Sequence, residues 1–147
     1  MLNNKTVVSF FLLLTLISCN SEKIEPDKTL SDEIKKHLST LGLLEKNEKI
    51  IKYYSNFEKD KAGSFFTDKR IAHYWIDKQP EKTNISSAFY SDISSLDTNF
   101  NVFDFDLPYL TVKKKDSTAF NLYIEGENKA ETKKFFEDAI EMWKKMK

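Results

Sequence analysis

Residues 63–77 read GSFFTDKRIAHYWID, two apolar stretches separated by the polar triplet Thr67-Asp68-Lys69. β-Branched and aromatic side chains suit a pleated, half-buried strand. An aspartate can hydrogen-bond to the backbone two residues ahead and so hold a tight bend. The stretch therefore predicts a strand up to Phe66, a turn over the triplet and a second strand over residues 70–77.

Large aromatic residues stand as adjacent pairs in this hairpin and in the segment before it. The three pairs are Tyr53-Tyr54, Phe65-Phe66 and Tyr74-Trp75. Successive side chains of a strand point to opposite faces, so each pair places aromatic surface on both faces of a sheet. Two interpretations remain open: a helix covers the outer set, or Tyr54, Phe66 and Trp75 form an exposed patch that binds a partner.

The remaining strand predictions come from short apolar or alternating segments on both sides of the hairpin. They cover residues 49–57, 85–92, 94–106, 107–114 and 118–125. Phe120, Leu122 and Ile124 alternate with polar or half-polar residues, which is typical of a strand with one buried face. Together with the hairpin, these segments predict seven strands.

Helical periodicity marks both ends of the strand-rich region. Residues 30–41 carry four aliphatic residues at helical spacing, and Gly42 is a typical helix stop. Residues 129–146 have a wide apolar face built at spacings of three and four. Such a face must cover something, and the preceding sheet is the available surface. The order helix, seven strands, helix predicts an α+β fold whose strands pair antiparallel.

Composition excludes several classes of function. The chain has 147 residues, enough for one ordinary domain, and its 23 Lys and Arg balance 23 Asp and Glu. This balance gives no net field that would draw the protein to nucleic acid. Three scattered glycines cannot form a phosphate-binding loop, and one cysteine with two histidines does not match the usual zinc patterns. We therefore expect no cofactor and no metal.

The first 18 residues predict a targeting signal rather than part of the fold. Lys5 is followed by an apolar run over residues 7–17, which is too short to span a bilayer as a helix. The run ends in Leu16-Ile17-Ser18-Cys19, which resembles the bacterial lipobox. An ordinary secretory signal with a chance cysteine, or an uncleaved anchor, remains the alternative.

The lipobox resemblance implies cleavage before Cys19 and acylation of its thiol and amine. Cys19 is the only cysteine in the chain, so it has no internal disulfide partner. Residue 20 is Asn, which by resemblance to the sorting rules of Gram-negative bacteria implies the outer membrane. We expect a lipid-anchored protein of the cell envelope.

A second resemblance covers roughly residues 48–146. Phe65-Phe66-Thr67-Asp68-Lys69-Arg70-Ile71 is similar to a phrase that recurs in bacterial pleckstrin-homology-like domains. Glu48-Lys49-Ile50-Ile51 resembles their entry to the first strand, and residues 88–93 resemble a later segment. The resemblance implies a seven-stranded antiparallel barrel, formed by two nearly orthogonal sheets, with a C-terminal helix at one open end; here a short N-terminal helix precedes it.

The same resemblance implies binding rather than catalysis. Proteins of this fold bind lipids, peptides or other domains, and the fold alone does not decide which. The loop Glu58-Lys59-Asp60-Lys61 mixes both signs of charge, where lipid-binding members carry a basic cluster. We expect a membrane-anchored, non-enzymatic protein that binds a protein or peptide partner in the envelope. The alternative is a small-ligand-binding or enzymatic lipoprotein of cone-shaped α+β fold.

The expected organisation has four parts. Residues 1–18 are the signal peptide, 19–28 a polar tether, 29–47 a helical segment, and 48–147 the pleckstrin-homology-like domain.

Few side chains suggest chemistry. His73 could act as a general base, and a deep polar pocket around it would favour the enzymatic alternative; otherwise it is a structural strand residue. Asp97, Asp104 and Asp106 could bind calcium, but they lack the spacing and glycine of a known cation loop. We expect them on solvated faces.

Overall fold

The computed structural model describes residues 24–100 and 107–147. Its strands are β1 (Ile24–Glu25), β2 (Ile50–Tyr54), β3 (Ala62–Thr67), β4 (Arg70–Trp75), β5 (Asn84–Phe89), β6 (Ile93–Asn99), β7 (Tyr109–Lys114) and β8 (Ala119–Tyr123). Its α-helices are α1 (Asp32–Thr40) and α2 (Lys129–Met146), and short 3₁₀ helices lie at Asp27–Thr29, Pro80–Lys82 and Tyr90–Asp92. In the described part of the chain, neither α-helix is long and apolar enough to cross a membrane.

The strands form two antiparallel sheets. One has five strands in the order β1-β2-β3-β4-β5, and the other has three in the order β6-β7-β8. The expected α+β fold with antiparallel sheets and a C-terminal helix is confirmed, whereas the expected seven-stranded barrel is wrong for the described residues. The 3₁₀ turn Tyr90–Asp92 leads the chain out of the first sheet, and β6 starts the second one.

The predicted strands are found, with changed ends and one addition. Asn84–Phe89 stops before the 3₁₀ turn that the sequence had placed inside a strand. Residues 101–106, including Asp104 and Asp106, lie outside the described residues. The addition is Ile24–Glu25, in the segment expected to be a tether, which pairs antiparallel with Tyr54 and Tyr53.

An outer layer covers one face of the five-stranded sheet. Helix α1 begins at Ser31, whose Oγ accepts a hydrogen bond from the Ile34 N–H, and ends before Gly42 in the left-handed region (φ 74°). Leu38 of the helix packs with the sheet residues Tyr53 and Phe65, all of them fully buried. The prediction that a helix covers one set of aromatics is confirmed on this face.

The main core lies between the two sheets and α2. It contains Phe66 and Ile71 from the first sheet and Leu122 from the second. Phe66 meets Phe135 of α2 edge to face, with ring centroids 5.2 Å apart. Asn128 caps α2 by accepting the Glu131 N–H at 3.0 Å. The pairs Tyr53-Tyr54 and Phe65-Phe66 thus divide between the two cores, whereas Trp75 of the third pair is exposed.

A buried ion pair ties the α1–β2 connection to the β3–β4 turn. Arg70 donates from Nε and Nη2 to the two carboxylate oxygens of Glu48, both at 2.9 Å. Thr67 donates to the same carboxylate at 2.6 Å, and Asp68 accepts the Lys49 N–H at 3.0 Å. The motif that carries the resemblance to pleckstrin-homology-like domains therefore has a structural role in this protein. We call the bonds of Glu48 with Thr67 and Arg70 the clasp.

Candidate functional site

A cavity opens at the end of the inter-sheet space farthest from the β3–β4 turn. Tyr54, Ser64 and His73 are paired neighbours across β2, β3 and β4, so their side chains share the inner face of the sheet. Beyond them the core gives way to a cavity of about 480 Å³. It is lined by Tyr54, Ser55, Asn56, Ala62, Gly63, Ser64, His73, Trp75, Lys82, Asn84, Leu107 and Tyr123.

His73 and Ser64 form a hydrogen-bonded pair in the wall of this cavity. Ser64 Oγ lies 2.9 Å from His73 Nδ1, and Ser64 is only 2% exposed. Burial lowers the pKa of the His73 imidazole, so the ring is neutral at physiological pH. Within residues 24–100 and 107–147, no carboxylate hydrogen-bonds to His73, and no three His, Cys, Asp or Glu residues cluster as a metal site. The pair therefore orients the imidazole as a neutral polar group in the cavity wall.

Tyr54 contributes a second neutral polar group. Tyr54 is 3% exposed, and its hydroxyl makes no hydrogen bond of normal geometry. Burial raises the pKa of this hydroxyl to about 12, against the smaller opposite effect of the nearby Glu125 backbone. The hydroxyl thus stays protonated, but its oxygen is buried and has almost no surface open to the cavity.

Exposed aromatic side chains surround the mouth of the cavity, and we call Phe57, Trp75 and Tyr123 the aromatic rim. Their exposed fractions are 54%, 41% and 43%. Phe57 and Trp75 stack with ring centroids 5.7 Å apart, and Tyr123 packs on Tyr109 at 5.6 Å. Three large aromatics, each held by a ring contact yet open to water, make this end of the domain the best candidate for a contact surface.

The three residues predicted to form an exposed patch have different positions. Trp75 is exposed, whereas Phe66 is fully buried and Tyr54 nearly so. The prediction of a patch made by all three is therefore wrong for Tyr54 and Phe66, because α2 and the second sheet cover the inner face there. A binding role for Trp75 stays a prediction.

The other predicted sites do not converge on this end of the domain. Asp97 pairs with Lys113 across β6 and β7 at 3.2 Å, as expected for a solvated face. Asp104, Asp106 and the lipid-attachment candidate Cys19 lie outside the described residues.

A wider groove of about 780 Å³ runs between β1, β2 and the first turns of α2. The cations Lys52 and Lys134, which line it, are both paired with Asp138, Lys52 at 2.6 Å. Because both lysines already have a carboxylate partner, the groove offers little to attract an anionic ligand. The cavity at the aromatic rim is therefore the stronger candidate for a binding site.

Sequence reasoning missed Phe57, Ser64 and Tyr123. Phe57 stands alone in a polar loop. Tyr123 lies on the same side of its strand as the polar residues Asn121 and Glu125. Ser64 lies beside His73 only because of the register between β3 and β4, which the sequence alone does not show. The one local signal was the aromatic content of the strand ends.

No protein-family profile matches the chain, and no curated protein sequence does. Among solved structures, the chain is similar to a DUF1696 family protein with a pleckstrin-homology domain from Shewanella loihica PV-4, at 14% identity. That match covers 73% of this chain and 90% of the other, with a TM-score of 0.49. A pleckstrin homology domain from Shewanella amazonensis SB2B matches at 21% identity, over 73% and 89% of the two chains, with a TM-score of 0.44.

Proposed function

We propose that this chain is a lipid-anchored, non-enzymatic protein of the bacterial envelope, whose pleckstrin-homology-like domain binds a protein or peptide partner at the aromatic rim. The observation that carries the proposal is the exposed pair Phe57 and Trp75, whose rings are in contact and of which Trp75 lines a preformed cavity. Aromatic side chains in such a position are typical anchors of protein–protein contacts.

The pleckstrin-homology-like assignment is supported by the order of the elements. Strands β2–β5 supply four strands to one antiparallel sheet, β6–β8 form the three-stranded sheet, and α2 follows them in the chain. Two antiparallel sheets followed by a C-terminal helix are what the sequence resemblance implies, and β1 adds a strand at one edge of the first sheet.

The anchor is supported by the lipobox-like Leu16-Ile17-Ser18-Cys19. Two or more acyl chains would hold the protein stably, at about 0.8 kcal/mol per buried CH₂. Asn20 favours the outer membrane of a Gram-negative bacterium.

A non-enzymatic role is supported by the wall of the cavity. A nucleophilic serine needs a base that a third group orients and access to the substrate. Ser64 bonds to the His73 nitrogen, but Ser64 is almost wholly enclosed and no carboxylate in the described residues orients the ring. The pair suits a recognition surface better than a catalytic one.

The cavity itself favours small-ligand binding as a second candidate function. Its volume lies within the range of pockets that hold small molecules, and its lining combines the aromatic residues Trp75 and Tyr123 with polar residues such as His73 and Asn84. A partner's side chain and a free small ligand would use the same groups.

Site-specific photocrosslinking in cells tests the partner proposal. A photoreactive phenylalanine analogue replaces Tyr123 at the rim or, as the matched control, Phe89 at the opposite end of the sheet; both side chains are about equally exposed. We expect one crosslinked envelope protein from position 123 and none from position 89. The same products from both positions, or none from position 123, would contradict the proposal.

A Cys19→Ala variant of the position-123 protein tests the anchor. We expect loss of the crosslink because the unanchored protein no longer shares a surface with its partner. Mass spectrometry of the N-terminal peptide reports acylation directly, and an unmodified Cys19 would contradict the anchor.

A further inference from the structure

The chain enters the described domain at the same end as the aromatic rim. Ile24 pairs with Tyr54 at the end of β2, so Ile24 lies beside the start of the β2–β3 loop, which carries Phe57. An ion pair between Glu25 and Lys59 fixes β1 to that loop. The attachment point and the rim are therefore neighbours.

The distance from the proposed lipid anchor is short. Five residue steps separate Cys19 from Ile24. A fully extended chain covers at most about 18 Å in five steps, which is less than the thickness of a small domain. Acyl chains on Cys19 would thus hold the rim end of the domain within reach of the headgroups.

The chemistry of this end suits a lipid interface. Tryptophan and tyrosine favour the headgroup level of membranes, where an apolar ring can have one wet edge. The loops at residues 55–61 and 76–83 each carry two acidic and two basic residues. The contact would therefore come from aromatic surface and not from attraction to anionic lipids.

We propose that the aromatic rim lies against the bilayer to which Cys19 is anchored, with Phe57 and Trp75 at the headgroup level. The inference rests on the lipid-anchoring part of the proposed function. It also narrows the partner proposal: with Phe57 and Trp75 against lipid, the partner would contact Tyr123 and the cavity, and it would be a segment presented at the membrane surface.

Fluorescent labelling of the full lipidated protein tests this orientation. The thiol of acylated Cys19 is blocked, so a cysteine introduced elsewhere is the only reactive one. Lys82→Cys places an environment-sensitive dye at the cavity mouth. Ser91→Cys is the matched control: Ser91 is exposed in the 3₁₀ turn after β5, about 17 Å or more along the strands from position 82.

We expect the dye at position 82 to be quenched severalfold more than the dye at position 91 by lipids that carry a nitroxide at the headgroup. Vesicles of zwitterionic phospholipid should suffice, and added anionic lipid should change the ratio little. Phe57→Ser should reduce quenching at position 82, whereas Phe89→Ser at the opposite end should not.

Three results would overturn the inference, and each has a different consequence. Equal quenching at both positions in protein shown to be acylated would remove the orientation alone and leave the anchor intact. An unacylated Cys19 would remove both. Shielding at position 82 in native membranes but not in pure lipid vesicles would replace the lipid contact with a protein partner.

Discussion

Glu48 and Arg70 show what buried charge does in this fold. Arg70 is 4% exposed and its guanidinium lies 4.2 Å from the centre of the Phe89 ring, while it grips both oxygens of Glu48. A buried pair contributes little net stability compared with apolar residues, but removal of one partner leaves the other charge uncompensated. Substitution of either Glu48 or Arg70 is therefore expected to destabilise the β3–β4 turn.

Glu48→Gln should lower the free energy of unfolding by up to about 3–5 kcal/mol, because the buried Arg70 would keep only the exposed Glu45, 3.1 Å away, as a counterion. Urea unfolding measures this loss. The control is Lys69→Met, which removes the exposed pair between Lys69 and Glu45 and should change stability little. Equal effects of the two substitutions would show that the clasp is not the buried ion pair described above.

Sequence reasoning at this scale found the clasp residues but not their role. Thr67, Asp68, Lys69 and Arg70 stood out as turn chemistry and as part of a family-like phrase. Their partner Glu48 lies about twenty residues earlier in the sequence. It comes into contact with them only because β2 pairs with β3. Local pattern can predict the turn, whereas a contact across strands depends on register.

At the scale of elements, the segment before β2 is part of the domain's packing. Leu30, Leu38 and Leu43 are almost fully buried against the outer face of the sheet. Each such side chain contributes about 1.5–3 kcal/mol when removed from water. A sheet without this layer would expose Tyr53, Phe65 and Tyr74 to solvent.

A chain that starts at residue 24 should fold, and one that starts at residue 48 should aggregate or unfold. The lost apolar contacts are comparable to the whole stability of a small domain, about 5–15 kcal/mol. Circular dichroism and size-exclusion chromatography compare the two chains. Leu38→Ala in the longer chain is the graded control and should cost about 2–5 kcal/mol. If the shorter chain were as stable as the longer one, the outer layer would be dispensable.

The elements were the most predictable level of the structure. Both helices and the turn at Thr67-Asp68-Lys69 follow from periodicity, caps and turn residues, which act over a few positions. Strand β1 was missed because two residues in a polar segment carry no periodicity. Its pairing with β2 depends on an exposed sheet edge that no local pattern reveals.

At the scale of the whole molecule, four buried tyrosines join the two layers to the loops. Tyr53 and Tyr74 face the outer layer, where their hydroxyls lie 2.7 Å apart. Tyr54 and Tyr90 face the core between the sheets, and Tyr90 donates to the Thr67 carbonyl at 2.6 Å. The sequence predicted aromatic surface on both faces of a sheet. It could not assign each ring to a layer, because that depends on how the second sheet and α2 dock.

Tight packing around these rings leaves little room for change. A methyl group added to Gly63 would lie 2.7 Å from Tyr53 Oη and 2.8 Å from Tyr74 Cε1. Neither ring can move easily, since the Tyr74 hydroxyl also donates to the Lys59 carbonyl and Tyr53 is fully buried. The hydroxyls are therefore held in an enclosed, low-dielectric environment.

This environment makes the protein sensitive to alkali. Burial raises the pKa of Tyr53 to about 12 and that of Tyr54 also to about 12, and it raises the pKa of Tyr74 and Tyr90 as well. In the unfolded chain a tyrosine has a pKa of about 10. Above that pH the unfolded chain releases protons that the folded protein retains, so the free energy of unfolding falls as the pH rises.

Urea unfolding at about pH 8 and about pH 11 should therefore show a loss on the order of 1 kcal/mol for Tyr53 and a similar loss for Tyr54 at the higher pH. Tyr53→Phe removes one titrating hydroxyl, so this variant should lose less stability between the two pH values than the parent protein, by a similar amount. The comparison isolates the tyrosine because lysines titrate alike in both proteins. If parent and variant lost equal stability, Tyr53 would titrate as a solvated phenol, and its place in a closed outer layer would be wrong.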